Sequence, residues 1–156
     1  MYPDSSEGLN KETEEGIYFF TTPFEPLNNW SPHRITIWDK TFPTSEHAYI
    51  WRKYSESAPE IADCILHAAS PYTVSKINEA NKEKKAKNWV EIKVGIMEEV
   101  LRTKLSQHED VTDALKRTGQ RRIVENSPID DFWGSGPNND GENMLGNIWM
   151  KIRDNQ

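Results

Sequence analysis

The sequence predicts an α+β fold, mainly α-helical, in one compact domain with a few short strands, and three observations predict it. Apolar residues recur at spacings of three and four through the middle and end of the chain, most clearly as Trp89, Ile92, Ile96 and Val100. Two short runs of strand character, Ile17 to Phe20 and Arg34 to Trp38, precede the helical part. The 156 residues fit one domain of ordinary size. Such a domain buries roughly two thirds of its unfolded surface, enough for a core without metal or disulfide support.

The elements follow in order. Residues 1–16 are polar and rich in Glu and Ser, which predicts a mobile tail ahead of a domain over 17–156. Ile17-Tyr18-Phe19-Phe20 reads as a strand. Thr21 to Pro32 holds three prolines and Asn28-Asn29 and reads as a loop. Arg34-Ile35-Thr36-Ile37-Trp38 alternates as a half-buried strand does, with a turn at Asp39-Lys40. A helix begins at Thr44, where Thr44 or Ser45 can cap it and Glu46 lies in its first turn. Pro59 opens a second helix through Leu66, and Pro71 a third towards Asn81. Asn88 to Leu105 is the clearest helix. Val111 to Arg117 is another, ended by Gly119. Arg121, Ile123 and Val124 suggest a short strand, 128–139 a Gly-, Pro- and Asn-rich loop, and Asn143 to Arg153 a closing helix. There are no internal repeats.

Composition narrows the function classes. The net charge of −6 argues against broad electrostatic binding of nucleic acid, while leaving room for a local basic groove. Cys64 is the only cysteine, which excludes an intrachain disulfide and an all-cysteine metal site. Its neighbours Ile61, Ile65 and Leu66 predict a buried apolar thiol. His33, His67 and His108 are scattered, with no partner at ligand spacing, so neither a metal nor a cofactor is expected. No stretch approaches the length of a membrane span, and the acidic N-terminus lacks a basic-then-apolar signal, so a cytoplasmic location is expected. Six tryptophans are many for one domain; some serve the core, and others offer stacking surfaces for a planar ligand.

Three constellations carry possible chemistry. Glu46 follows Phe42-Pro43, and Lys53 lies seven residues later, two turns along the same helical face. A carboxylate and an amine so placed can act as acid/base partners or form a plain surface pair, and spacing alone leaves both open. His47 points away from Glu46 by helical periodicity, as a packed or hydrogen-bonded histidine would. The second constellation is Ser127-Pro128-Ile129-Asp130-Asp131-Phe132-Trp133-Gly134-Ser135-Gly136. Its glycines allow close backbone approach to a ligand, and Trp133 offers a stacking face; a turn around a core tryptophan is the plainer alternative. Gly141-Glu142-Asn143 then opens the last helix, where backbone N–H groups could receive a phosphate. The third is Lys82-Glu83-Lys84-Lys85-Ala86-Lys87, either a solvated turn or, with Arg121-Arg122, an edge that contacts phosphate.

Together these segments resemble the NADAR family of YbiA-like N-glycosidases. The resemblance rests on Leu27-Asn28-Asn29-Trp30-Ser31-Pro32, on Phe42-Pro43-Thr44-Ser45-Glu46-His47-Ala48-Tyr49 with Lys53, on Trp89 with Met97, and on Thr118-Gly119 with Val124-Glu125. It is closest from Ser127 to Gly136 and from Gly141 through Leu145-Gly146 to Met150 and Arg153, and it covers about residues 17–153. Two departures, Asn28 where serine is common and Trp30 where phenylalanine is common, fall on the pocket wall and bear on substrate choice more than on chemistry.

The resemblance implies a compact, mostly helical hydrolase of bonds between a ribose carbon and a nitrogen. One branch of the family acts on early riboflavin-pathway intermediates. Another removes ADP-ribose from guanine bases, in some cases as antitoxin to a DNA-modifying ADP-ribosyltransferase. The expected substrate here is ADP-ribosylated guanine in DNA, with a small ribosylated nucleotide as the second candidate. An ADP-ribose-binding module without turnover is the reading from another class. Cleaving the bond develops positive charge on the sugar carbon and negative charge on the leaving nitrogen. The expected catalytic residues are Glu46 as acid/base, Asp130 as a ribose-binding or charge-stabilising group, and Lys53, whose amine could attack C1 of an opened ribose. Asn29, Trp30, His47, Tyr49, Trp133, Gly134, Gly136, Gly141 and Asn143 are expected to bind substrate: Trp133 by stacking, the asparagines by hydrogen bonds to sugar or phosphate, and the glycines by leaving room.

Overall fold

The structure, a computed structural model, describes residues 9–20 and 24–156. Residues 1–8 of the expected tail and 21–23 of the expected loop lie outside the described residues. The fold is α+β and mainly helical, as the sequence predicts, with six α-helices and five short strands among the described residues. Chain contacts divide it into two compact units: a sheet unit, residues up to Asn28 together with His108–Gln156, and a hairpin–helix unit, Asn29–Gln107.

In the sheet unit, β1 (Lys11–Glu12) pairs antiparallel with β2 (Gly16–Phe19), and β2 pairs parallel with β5 (Arg122–Glu125), Ile17 opposite Ile123. The expected mobile tail is therefore corrected for residues 9–16. Their polar composition hides an edge strand whose backbone is satisfied by β2 and by a turn in which Gly16 N–H donates to Thr13 Oγ1 at 3.0 Å. Glu12 meets Arg117 at 2.7 Å and Arg121 at 2.9 Å, and these two guanidiniums hold its carboxyl below the usual range. Helix α5 (Glu109–Arg117) ends with Gly119 at φ +63°, the left-handed residue expected there. Helix α6 (Met144–Asp154) packs on β5. Its Trp149 is fully buried and donates its indole N–H to the Leu27 carbonyl at 3.0 Å.

In the hairpin–helix unit, β3 (Ile35–Ile37) and β4 (Lys40–Phe42) form a hairpin, with Ile37 opposite Lys40. Its turn sits at Trp38-Asp39, one residue earlier than expected, and both residues take positive φ, 54° and 60°. A two-residue connection needs this left-handed pair to match the strand twist. Trp38 is held there because its ring stacks on Trp51 at 5.9 Å and its N–H donates to Glu99 at 3.0 Å. Helices α1 (Ser45–Tyr54), α2 (Pro59–Leu66), α3 (Pro71–Ala80) and α4 (Trp89–Gln107) follow, with a 3₁₀ turn at Lys82–Lys84. Ile35, Ile37, Phe42, Ala48 and Val100 form one core cluster between the hairpin, α1 and α4.

Cys64 is exposed, contrary to the expectation of a buried thiol. Ala62 and Ile65 turn inward on α2, and Cys64 lies off that face, so apolar neighbours in sequence do not share its surroundings. No helix among the described residues is long and apolar enough to cross a membrane.

Candidate active site

Glu46 and Lys53 sit on α1, and the start of that helix is tightly fixed. Thr44 Oγ1 accepts the His47 backbone N–H at 3.2 Å, the cap anticipated from sequence. The Glu46 backbone N–H donates to the Asn29 carbonyl at 3.1 Å. Ser45 Oγ lies 3.2 Å from both the Asn29 carbonyl and its side-chain oxygen. Asn29 is buried, and its amide nitrogen points to Met97 Sδ at 3.4 Å. Asn29 thus holds the helix start that carries Glu46, a positioning task that the expectation of direct sugar contact did not include.

His47 is fully buried with both ring nitrogens engaged: Nε2 lies 3.0 Å from the Ala68 carbonyl and Nδ1 2.8 Å from Thr44 Oγ1. A carbonyl only accepts, so Nε2 carries the proton and Nδ1 accepts from the threonine hydroxyl. Burial pushes the imidazole pKa down, against the raising effect of the Ala68 bond. This is the packed, hydrogen-bonded histidine of the plainer reading. Tyr49 is also buried, its ring 5.1 Å from that of Trp89. Trp30 is 46% exposed and lines a cavity of about 310 Å³ with Arg34, Pro43, Thr44, His47 and Ser70 among others; Glu46 and Lys53 are not in that lining.

Lys53 is a strongly perturbed amine. Burial pushes its pKa down from 10.5 to about 8, helped by the positive charges of Lys85, Lys82 and Lys93 and opposed by the carboxylate of Glu46. Its Nζ donates to Asn78 Oδ1 at 2.9 Å. Tyr54, fully buried one residue on, donates its hydroxyl to the same oxygen at 2.8 Å. Burial and the nearby Glu83 and Glu79 push the tyrosine up to about 12, so it remains a donor. Two donors therefore orient the Asn78 amide, and the amide fixes the amine. Nothing in the sequence signalled Asn78, because it reaches Lys53 from α3 across 25 residues.

The remaining candidates belong to the sheet unit. Asp130 Oδ1 accepts the backbone N–H groups of Phe132 and Trp133 at 2.9 and 2.8 Å, so the carboxylate builds the turn that presents Trp133. Asn143, buried at φ +50°, donates its amide to the Ile123 carbonyl and accepts from the Glu125 N–H, both at 2.9 Å. It fastens α6 to β5, and sugar binding through that amide is not what its surroundings support.

The glycines are likewise filled by protein. A Cβ on Gly134 would lie 2.7 Å from the Glu125 carbonyl, on Gly136 2.8 Å from Asp131 Cβ, and on Gly141 2.5 Å from the Gly134 carbonyl. The expected room for a ligand is room for the loop itself. The anticipated phosphate seat at the start of α6 is corrected too. The N–H groups of Asn143, Met144 and Leu145 donate to the carbonyls of Gly134, Phe132 and Trp133 at 3.1, 2.9 and 3.0 Å. The loop supplies the acceptors that an anion would have supplied. A shallow cavity of about 370 Å³ beside it is lined by Asp131, Phe132, Asp140, Gly141 and Glu142. Among the described residues no three His, Cys, Asp or Glu side chains converge as metal ligands.

Comparison with known proteins places the chain among relatives. The model of the family described as the NADAR domain matches residues 18–155. A protein of Nostoc punctiforme named N-glycosidase Npun_R5314 is 35% identical over 141 residues, covering 88% of this chain and 90% of that protein. Riboflavin biosynthesis protein VVA0006 of Vibrio vulnificus is 30% identical over 144 residues, covering 90% of this chain and 38% of that longer protein. The NMR structure of the E. coli protein YbiA matches the fold with a TM-score of 0.82 at 25% identity, covering 97% of this chain and 90% of that one.

Proposed function

We propose, from the premise that this chain belongs to the NADAR family and is a hydrolase of N-glycosyl bonds, that it cleaves the ribose–nitrogen bond of ADP-ribosylated guanine with Lys53 and Glu46 at the reaction centre. The observation that carries the reaction centre is the Lys53 amine, held by Asn78 and brought to a pKa of about 8, two helical turns from Glu46 on one helix. In its neutral form Lys53 still donates an N–H to Asn78 and keeps its lone pair for attack.

The lone pair forms a bond to C1 of the ribose. The C1–nitrogen bond breaks, its electron pair stays with the leaving base, and the Glu46 carboxylate takes a proton from the lysine nitrogen and passes it to that base. The lone pair of the lysine nitrogen then opens the sugar ring by breaking the C1–O4 bond, O4 takes up the nitrogen's remaining proton, and a Schiff base is left between Lys53 and C1. Water adds to C1, the C1–lysine bond breaks, and the released ribose closes while the amine is regenerated. Asp130 enters as a carboxylate offered to the ribose, beyond its work in the turn. Acting on modified DNA, such an enzyme would serve as antitoxin to a DNA-modifying ADP-ribosyltransferase. A second reading, cleavage of an early riboflavin-pathway ribotide, draws support from the relative named for riboflavin biosynthesis.

The test presents an ADP-ribosylated guanine oligonucleotide and, in parallel, the amino-pyrimidine ribotide, and follows release of the base. Release from neither sinks both readings. Glu46→Gln is expected to lower turnover by about 100-fold or more, the usual worth of a positioned proton donor. Asp130→Asn keeps an acceptor for the Phe132 and Trp133 N–H groups and removes the charge. Unchanged melting with turnover about tenfold lower or worse is the expected result, and unchanged turnover confines Asp130 to the turn.

A further inference from the structure

The lysine-rich run after α3 touches no substrate group in the reaction just described, yet the fold moors it against Lys53. The Ala86 backbone N–H donates to the Lys53 carbonyl at 3.0 Å, and Ser57 Oγ donates to the Lys84 carbonyl at 2.7 Å. Ala86 is buried as the anchor, while Lys82, Lys84, Lys85 and Lys87 around it are exposed. Between residues 76 and 93 stand six lysines against three glutamates, in a chain whose net charge is −6. Lys82 meets Glu79 at 2.9 Å, but both side chains are more than half exposed. A pair of that kind is worth little and exchanges readily for a stronger anion.

We propose that Lys82 and Lys85 form a phosphate-binding edge beside Lys53 that holds the 5′-phosphate groups of the ribosyl substrate. This rests on the reading of Lys53 as the group that attacks C1, since a 5′-phosphate then lies one sugar's breadth away. Ammonium groups suit phosphate as compact point charges. The Ala86–Lys53 backbone bond keeps the run beside Lys53, and the positive charges of Lys85 and Lys82 act on the Lys53 amine. With the rest of the molecule acidic, the edge fits the compact phosphate or pyrophosphate of a small ribosyl group better than the long backbone of a duplex.

The experiment titrates the full chain and the Lys82→Ala/Lys85→Ala double variant with inorganic pyrophosphate, ADP-ribose and free ribose, following Lys53 by lysine-selective NMR and binding by calorimetry. Both side chains are exposed, so the two substitutions are expected to leave the fold intact. Pyrophosphate and ADP-ribose are expected to bind the wild type and to weaken by about tenfold or more in the double variant, equivalent to about 1.4 kcal/mol. Ribose should not distinguish the two proteins. Anion binding should raise the Lys53 pKa in the wild type and leave it nearly unmoved in the variant. Equal affinity of both proteins for pyrophosphate, or none in either, overturns the edge. A dependence on salt steeper than two contacts would give, measured with duplex DNA, also overturns it in favour of a backbone-binding surface. Loss of pyrophosphate binding in the variant, with no turnover of any ribosyl compound by the wild type, keeps the edge and sinks the reaction.

Discussion

Replacing Lys53 by methionine is expected to abolish turnover while making the protein more stable. The amine at a pKa of about 8 is neutral in about a tenth of molecules at pH 7, whereas at 10.5 the neutral fraction would be about 3 in 10,000. The environment alone therefore multiplies the neutral form by about 300, and methionine removes the proposed nucleophile altogether. Wild-type turnover should rise with pH up to about 8 and level off above it. Asn78→Asp places a negative charge on the atom that holds the amine, so it should raise the Lys53 pKa and move that rise to higher pH.

The stability change has the opposite sign to the activity change. Because the folded state lowers the lysine pKa, the unfolded chain binds this proton more tightly between pH 8 and 10.5, and stability gained from this group rises with pH through that window. Below pH 8 the buried charge is a penalty, and Lys53→Met removes it. Discounted for partial exposure, the gain is about 1 kcal/mol, or roughly 2–4 °C in melting temperature. Borohydride added during turnover should trap a ribosyl adduct on the wild type and none on Lys53→Met. An active Lys53→Met enzyme, with no adduct on the wild type, removes the lysine from the chemistry.

The parts of this picture that were legible in the sequence are those with short-range causes. The Thr44 cap, the start of α1, the apolar stripe of α4 and the left-handed Gly119 each follow from residues within two turns of one another. The seven-residue step from Glu46 to Lys53 likewise put the proposed acid/base and amine on one helix. What the sequence withheld depends on contacts made across the chain. Asn78 reaches Lys53 from another helix. Lys104 is fully buried in the last turn of α4, its amine donating to Ser31 at 2.8 Å, and Ser31 in turn meets His33 Nδ1 at 2.7 Å. A lysine at a stripe position reads as surface until its acceptors are known. The glycine-rich stretch misled for a related reason. A helix start with nearby glycines looks like an anion seat, and only the fold reveals that loop carbonyls already occupy it.

That stretch yields the largest expected loss of stability, from Gly146→Ala. Gly146 lies in the first turn of α6, and a Cβ there would sit 2.1 Å from the Ile123 carbonyl oxygen and 2.6 and 2.7 Å from the Asn143 side-chain nitrogen and oxygen. Those are the atoms of the hydrogen bond that fastens α6 to β5. The methyl group cannot be relieved by turning a side chain, since the carbonyl belongs to a strand paired with β2. Either α6 moves away from β5, or Asn143 leaves both the Ile123 carbonyl and the Glu125 N–H. Overpacking costs about 1–3 kcal/mol and each buried bond left open about 1–3 kcal/mol, so a loss on the order of 3–5 kcal/mol is expected. For a chain of this length that lowers the melting temperature by roughly 10 °C or more. Asn143→Gly tests the same joint from the other side. Glycine accepts the positive φ that the asparagine adopts and removes only the two amide bonds, so it should lose less than Gly146→Ala. If the two variants act on one joint, the double variant should destabilise by less than the sum of the singles. Additive losses, or a Gly146→Ala protein that melts within about 2 °C of the wild type, would mean that α6 and β5 are not held together through this contact.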